Sequence, residues 1–225
     1  PDKQQLLATQ VLSTLGLTKD DTKPLGAQDN LERAVGAYCI DAWAGDLVAK
    51  AYSIPDGMNL LTVTSGRMPE SPDECIVDKN LLEKMKISVG DSITIDPSDD
   101  YEDCLTHKNF TIVGTAVSPY YISVERGSAS IGSGNVRAYV YLPEGAFDLD
   151  YYTVAYAKVK GAQELTAFTD EYDDYIDDVM DSLKDFGDRR AKLRYDDIID
   201  EAQGKIDDAQ KELDDKEKEA DEKLS

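Results

Sequence analysis

The stretch from Gly66 to Ile95, GRMPESPDECIVDKNLLEKMKISVGDSITI, constrains the fold more than any other, because each of its junctions is punctuated. Gly66, Pro69 and Pro72 make a loop, and Glu74 to Val77 is a short apolar run of strand type. Asp78 or Asn80 can cap a short helix whose apolar face is Leu81, Leu82 and Met85. Val89-Gly90-Asp91 then turns the chain into Ser92-Ile93-Thr94-Ile95, which alternates as a half-buried strand does. A strand, a helix and a strand in that order, with nothing catalytic among them, point to an α+β layer.

The wording of this unit carries a resemblance as well. The GR-x-P turn, the ECIV strand, the LLEKMKI helix and the VGDSITI strand resemble the extracytoplasmic domain of FtsX-like, MacB-type ABC transporter permeases. Phe110 to Gly114 (FTIVG), Ser118-Pro119-Tyr120-Tyr121-Ile122-Ser123, Glu125-Arg126-Gly127 and Gly132-Ser133-Gly134 resemble the Gram-positive branch of that family. The resemblance covers roughly Leu60 to Leu183, and the C-terminal tail matches in kind, as the coiled-coil insertion many of those proteins carry. It implies a mixed β-sheet domain over residues 1–186, followed from 187 to 225 by the start of a coiled-coil stalk.

Composition fits a detached piece of such a protein. An apolar content of 41% in 225 residues excludes wholesale disorder and allows one sizeable core. There is no run of about 18 apolar residues and no basic, apolar leader. The chain starts at Pro1 and stops in a charged helix at Ser225, so both ends read as cuts in a longer protein. A net charge of -22, from 46 acids against 24 bases, argues against nucleic acid, whose phosphates require clustered Lys and Arg. The acids are densest after Gly161, as in a solvated helical stalk; an acidic surface that collects cations or steers a partner is the sharper alternative.

Along the chain, Asp2 to Leu15 reads as a helix with Leu6, Leu7, Val11, Leu12 and Leu15 on one side. In the resembled layout it leaves the first membrane helix. Leu31 to Asp41 and Asp46 to Ile54 read as strands about a Gly45 turn, with Trp43 beside it in core or rim packing. Ser92 to Asp96 and Phe110 to Val117 read as neighbouring strands joined by the acidic loop Pro97 to Asn109, which lacks the spacing of a calcium loop. Val136 to Leu142 and Tyr151 to Lys160 alternate with period two and are expected side by side in one sheet. Ala162 to Phe186 is an amphipathic helix, expected to pack on that sheet through Leu165, Phe168, Tyr172, Tyr175, Ile176, Val179, Leu183 and Phe186.

Candidate chemistry is sparse. Cys39, Cys75 and Cys104 cannot all pair, and Cys39 and Cys75 sit in strand-like apolar contexts. Together with His107 they total four zinc-ligand types, yet only Cys104 and His107 are spaced as a pair. His107 is the one possible catalytic base and stands in a polar loop; the Gly127 to Asn135 run lacks the Lys of a phosphate loop. No enzyme activity, cofactor or metal is expected.

Two candidate partner contacts remain. The long Ser- and Gly-rich connection from Ser118 to Asn135 holds Tyr120, Tyr121 and Arg126, and loops of that length tend to be functional. After Gly187, Ile199, Ala202, Ile206, Ala209 and Leu213 recur at three- and four-residue steps, a coiled-coil seam that is marginal without a mate. The resemblance implies an extracellular domain on the outer side of a cell membrane that couples ATP-driven movement to a partner outside. Its partners are then the permease's cytoplasmic ATPase, which this part does not touch, a second permease copy, and an extracellular protein or exported substrate. A surface adhesin or scaffold with an acidic coiled coil is the alternative.

Overall fold

The structure is a computed structural model that describes residues 18–119, 126–167 and 169–224. The helix expected over Asp2 to Leu15, Tyr120 and Tyr121 of the loop, and Phe168 lie outside the described residues. The architecture is α+β, with two β-sheets and a long C-terminal helix.

In chain order the elements are α1 (Lys19–Gly26), β1 (Leu31–Ala37), β2 (Cys39–Ala44), β3 (Leu47–Ser53), β4 (Thr62–Gly66), β5 (Glu74–Val77), α2 (Lys79–Met85), β6 (Ser92–Pro97), β7 (Asn109–Val117), β8 (Ala138–Leu142), β9 (Val154–Val159) and α3 (Asp170–Leu224). Seven strands form one mixed sheet in the order β4-β7-β5-β8-β3-β2-β6. Because β6 also pairs with the first half of β7, six of them close on themselves, and β4 takes the second half of the same β7 edge. The result is a small barrel.

Its interior explains the composition of these strands. Alternate residues of each strand meet inside, and many are small: Ala42 and Ala44 of β2, Ala49 and Ala51 of β3, and Ala138 of β8 face Ile93, Ile95, Phe110, Ile112, Val140 and Leu142. A six-stranded barrel has room for side chains and no channel, so this mixture of alanines with larger residues fills it. The helix α2 contributes the fully buried Leu81 to that core; Asp78 caps it, with Oδ1 accepting from the Leu81 N–H at 3.0 Å. This is the strand, helix and strand unit expected from Gly66 to Ile95.

Two expectations are overturned. Val136 to Leu142 and Tyr151 to Lys160 do not share a sheet: β8 lies in the barrel, and β9 forms a separate two-stranded antiparallel ribbon with β1. Alternation reports covered faces and says nothing of edges. Both edges of β8 are taken, by β3 and β5, so β9 has none to join. Leu31 to Asp41 is likewise not one strand, since the chain passes from the ribbon to the barrel at Tyr38. Thr153 and Ser53 satisfy the backbone there: Thr153 Oγ1 accepts from the Cys39 N–H at 2.6 Å and donates to the Cys39 carbonyl at 2.9 Å, and Ser53 Oγ accepts from the Tyr38 N–H at 2.9 Å.

The ribbon is covered on both faces. Ala155, Ala157 and Val159 pack with Tyr172, Ile176, Val179, Leu183 and Phe186 of α3 and with Leu25 of α1, while Val154 and Tyr156 pack with Ala37 and Met58. The expected amphipathic helix is therefore present, with a 3-10 turn over Ala162–Glu164 ahead of it; it starts at Asp170 and continues through Gly187 without a break.

The strand β4, of which only Gly66 is read from sequence, as the start of a loop, owes its place to two glycines. Gly66 and Gly114 are register partners across β4 and β7, and a Cβ on Gly114 would stand 2.5 Å from the Arg67 carbonyl and 2.8 Å from that of Ser65. These are the glycines of the GR-x-P and FTIVG motifs. Gly114→Ala is expected to destabilise the chain by about 1–3 kcal/mol in a urea titration, because backbone atoms cannot move aside for a methyl group. Gly145→Ala, where a Cβ meets nothing, is the matched control and should stay within about 0.5 kcal/mol.

Candidate partner surface

The helix α3 presents two apolar stripes. Tyr172, Ile176, Val179, Leu183 and Phe186 recur at steps of four and three and are buried against the ribbon, each contributing about 1.5–3 kcal/mol of burial. Arg190 continues that spacing. Ile199, Ala202, Ile206, Ala209 and Leu213 follow the same rhythm but start nine residues after Arg190, about two and a half helical turns. The second stripe therefore points to the side opposite the first, away from the body. Ile199, Ile206 and Leu213 are 49, 60 and 57% exposed, as part of a length from Lys192 to Lys216 in which every residue is exposed, Leu193 on the spacing of the first stripe included. From Arg190 to Leu224 the helix extends about 50 Å.

What holds the base of this extension is an ion pair that sequence reading missed. Arg190 Nη2 bonds Oδ1 of Asp21, whose side chain is only 7% exposed, and Asp21 Oδ2 accepts from the Thr18 N–H at 2.8 Å and from Thr18 Oγ1 at 2.9 Å. A signal was available in Thr18-x-x-Asp21, the spacing of a helix-capping box, although Pro24 and Gly26 obscured the helix that follows. A polar cleft of about 640 Å³ opens beside the pair, flanked by Lys19, Asp20, Asp150, Arg194, Asp197 and Glu201.

The loop candidate Arg126 is engaged within the molecule. It bonds Oδ2 of Asp78 while its guanidinium stands 5.0 Å over the Tyr139 ring, and Tyr139 OH donates to the Arg126 carbonyl at 2.8 Å. Downstream, Asp41 Oδ2 accepts from the Ser130 N–H at 2.6 Å and from Ser130 Oγ at 3.0 Å, and Lys50 Nζ bonds Asp41 Oδ1 at 2.7 Å. Burial raises the Asp41 pKa, but Lys50 and Ser130 outweigh it and hold the carboxyl below its usual range. Gly132 lies against Trp43, where a side chain would clash. Residues 126–137 thus form a clasp over the outside of the barrel.

The motif loop from Gly66 to Glu74 is closed by a two-pronged ion pair. Arg67 Nη1 meets Glu74 Oε2 at 2.7 Å and Nη2 meets Oε1 at 2.5 Å, and the Glu70 N–H donates to Oε2 at 2.8 Å. The Arg67 bond, then the Glu70 N–H, lower the Glu74 pKa from 4.5 to about 2.

The thiols and the histidine take no joint position. Cys75 lies inside the barrel and Cys104 beneath its rim, and burial pushes their pKa values up to about 12 and about 11. Burial raises the Cys39 thiol as well. His107 is half-buried rather than exposed as its polar neighbours led one to expect, with its ring 4.4 Å from Phe110 and Nδ1 2.9 Å from Thr106 Oγ1. Among the described residues no group of three or more His, Cys, Asp or Glu converges, and no helix is long and apolar enough to cross a membrane. A notch of about 20 Å³ among Tyr52, Asn59, Tyr141 and Tyr156 has room for about one water molecule.

No protein-family model and no curated protein matches the chain. Among solved structures it is similar to the extracellular domain of a noncanonic ABC-type transporter, YknZ, from Gram-positive bacteria, with 16% identity, 73% of this chain and 82% of that one covered, and a TM-score of 0.42. It is similar also to the periplasmic region of MacB from Actinobacillus actinomycetemcomitans, with 11% identity, coverage of 76% and 75%, and a TM-score of 0.40.

Two measurements check these assignments. Since the folded Glu74 pKa lies below 4.5, its ion pair stabilises the chain fully above pH 4.5 and the contribution is lost as pH falls through about 2. Glu74→Gln should therefore be less stable than the parent at neutral pH, with the two urea midpoints converging toward pH 2. Deleting the residues after Glu201 removes helix that is exposed throughout its described side chains, to Lys216, and should change unfolding free energy by less than about 0.5 kcal/mol. Deletion from Asp188 onward also removes Arg190 and leaves Asp21 buried and unpaired, so a clear loss of stability is expected there.

Proposed function

We propose that this chain is the extracytoplasmic domain of an FtsX-like, MacB-type ABC transporter permease and that it acts without catalysis, as a rigid body carrying a helical lever. The observation that carries this reading is the reversal of the apolar stripe on α3. Up to Arg190 the helix is part of the body; from Ile199 its apolar residues face outward, where only something beyond the body can cover them. The motif residues support it from the other side, since Gly66, Arg67, Glu74 and Gly114 together form the β4–β7 joint. ATP hydrolysed by a cytoplasmic subunit would reach this domain through membrane helices, and the lever would hand the movement to an extracellular protein or an exported substrate. The lever begins just past Phe186, with Arg190 as its last tether. Arg126, tied to Asp78, supports the clasp in this reading, and partner contact falls to the seam of Ile199, Ala202, Ile206, Ala209 and Leu213.

The test is made in cells with the complete permease and its ATPase. Ile199→Asp, Ile206→Asp and Leu213→Asp should each abolish transport-linked activity while the protein still reaches the membrane, and Lys211→Glu, a charge change between seam positions, should not. Equal phenotypes in both sets would remove the lever from the account.

A further inference from the structure

The helix α1 stands between the barrel side of the molecule and α3, and it is tied to both. On one side Lys19 Nζ bonds Glu144 Oε1 at 3.0 Å, in the segment that leads out of β8. On the other, the fully buried Leu25 enters the core shared with α3, and Asp21 bonds Arg190. Arg190 lies one turn past Phe186, the last large side chain of α3 in that core, and from Lys192 to Lys216 every residue of the helix is exposed. The pair is thus the final attachment before the helix leaves the body. Its carboxylate is deeply buried, while the guanidinium is one-third exposed; Thr18 donates two hydrogen bonds to Asp21, and Arg190 is the cation paired with it among the described residues.

We propose that α1 is a strut and that Asp21 and Arg190 are the clamp that fixes the direction in which α3 leaves the body. The N-terminal segment joins the described fold at Thr18, which itself donates two hydrogen bonds to Asp21. A displacement applied at Thr18 therefore arrives at the carboxylate that holds Arg190, and so at the base of the extension, without first passing through the barrel. Arg190 is in this sense a positioning residue for the seam that begins nine residues later. The purpose of the clamp rests on the lever reading given above; its existence does not.

Amide hydrogen exchange of the complete 225-residue chain tests the clamp. Asp21→Asn keeps a side-chain acceptor for Thr18 but removes the charge, and Arg190→Gln removes the other partner. Each is expected to speed exchange of the amides from Gly187 to Arg194 by about tenfold or more and by clearly more than in strands β2 and β8, with the exposed helix from Gln203 to Lys216 unchanged. The double variant should add nothing to either single one, because both remove the same interaction. Arg194→Gln, in the same cleft but outside the pair, should leave exchange as in the parent. If Asp21→Asn fails to fold, the Arg190→Gln and Arg190→Lys arms carry the measurement, the lysine giving an intermediate rate. Unchanged exchange from Gly187 to Arg194, an equal effect of Arg194→Gln, or acceleration of the barrel as large as that from Gly187 to Arg194 would each overturn the clamp. In the complete permease, faster exchange combined with unimpaired transport would leave the clamp standing and remove the lever.

Discussion

Among the described residues the strand β9 lies between the two cores and has neither face free. Ala155, Ala157 and Val159 of β9 look toward α3, Val154 and Tyr156 look toward the barrel, and one edge is held by β1. A strand placed so becomes a seam between two cores, and its small residues follow from that: the alanines let the helix approach closely, while the larger Val154 and Tyr156 pack with Met58 and with Ala37, the register partner of Val154 on β1. Separate burial of these two faces gives the barrel and the helix a common support although neither touches the other's core.

The two cores are built on different terms. The barrel closes its own edges, so most of its stability is internal, and α2 with its Asp78 cap serves as a plug. The ribbon of β1 and β9 has only two strands and could not stand alone in water. It depends on α3 on one face and the barrel on the other, with Thr153 and Ser53 supplying the hydrogen bonds that the break at Tyr38 would otherwise leave open. The lever reading proposed above rests on this division: in it the barrel would set a rigid frame, and the ribbon would pass that frame's orientation on to α3.

Much of this was legible from residue order. The α+β class, the Gly66 to Ile95 unit, the pairing of the segments around Ser92 and Phe110, and the apolar face of the helix up to Phe186 all rest on local periodicity, which the chain displays openly. What escaped was of another kind. Barrel closure depends on which edges remain available, and edges leave no mark on alternation, so β8 and β9 read as sheet neighbours although both edges of β8 were already occupied. The strand β4 has no buried residue to advertise it and exists because two glycines allow its backbone against β7. The pairing of Asp21 with Arg190 spans most of the chain, and only the capping spacing of Thr18 and Asp21 hinted that the acid had a local task. The opposition of the two stripes on α3 was written in the nine-residue step, but its meaning required knowing which side the body occupied.

The placement of the three cysteines has a further consequence. With Cys75 at a pKa of about 12 and Cys104 at about 11, the thiolate fraction near neutral pH is on the order of one part in ten thousand or less, and thiolate is the form that exchanges. Cys39 is shifted in the same direction. No bridge is needed, because the closed barrel and the two-faced ribbon supply the burial that small secreted domains obtain from crosslinks. Burial in the folded state thus makes these thiols poor partners for disulfide exchange, and it is on unfolding, when they regain ordinary thiol acidity, that the surrounding redox potential would act on them.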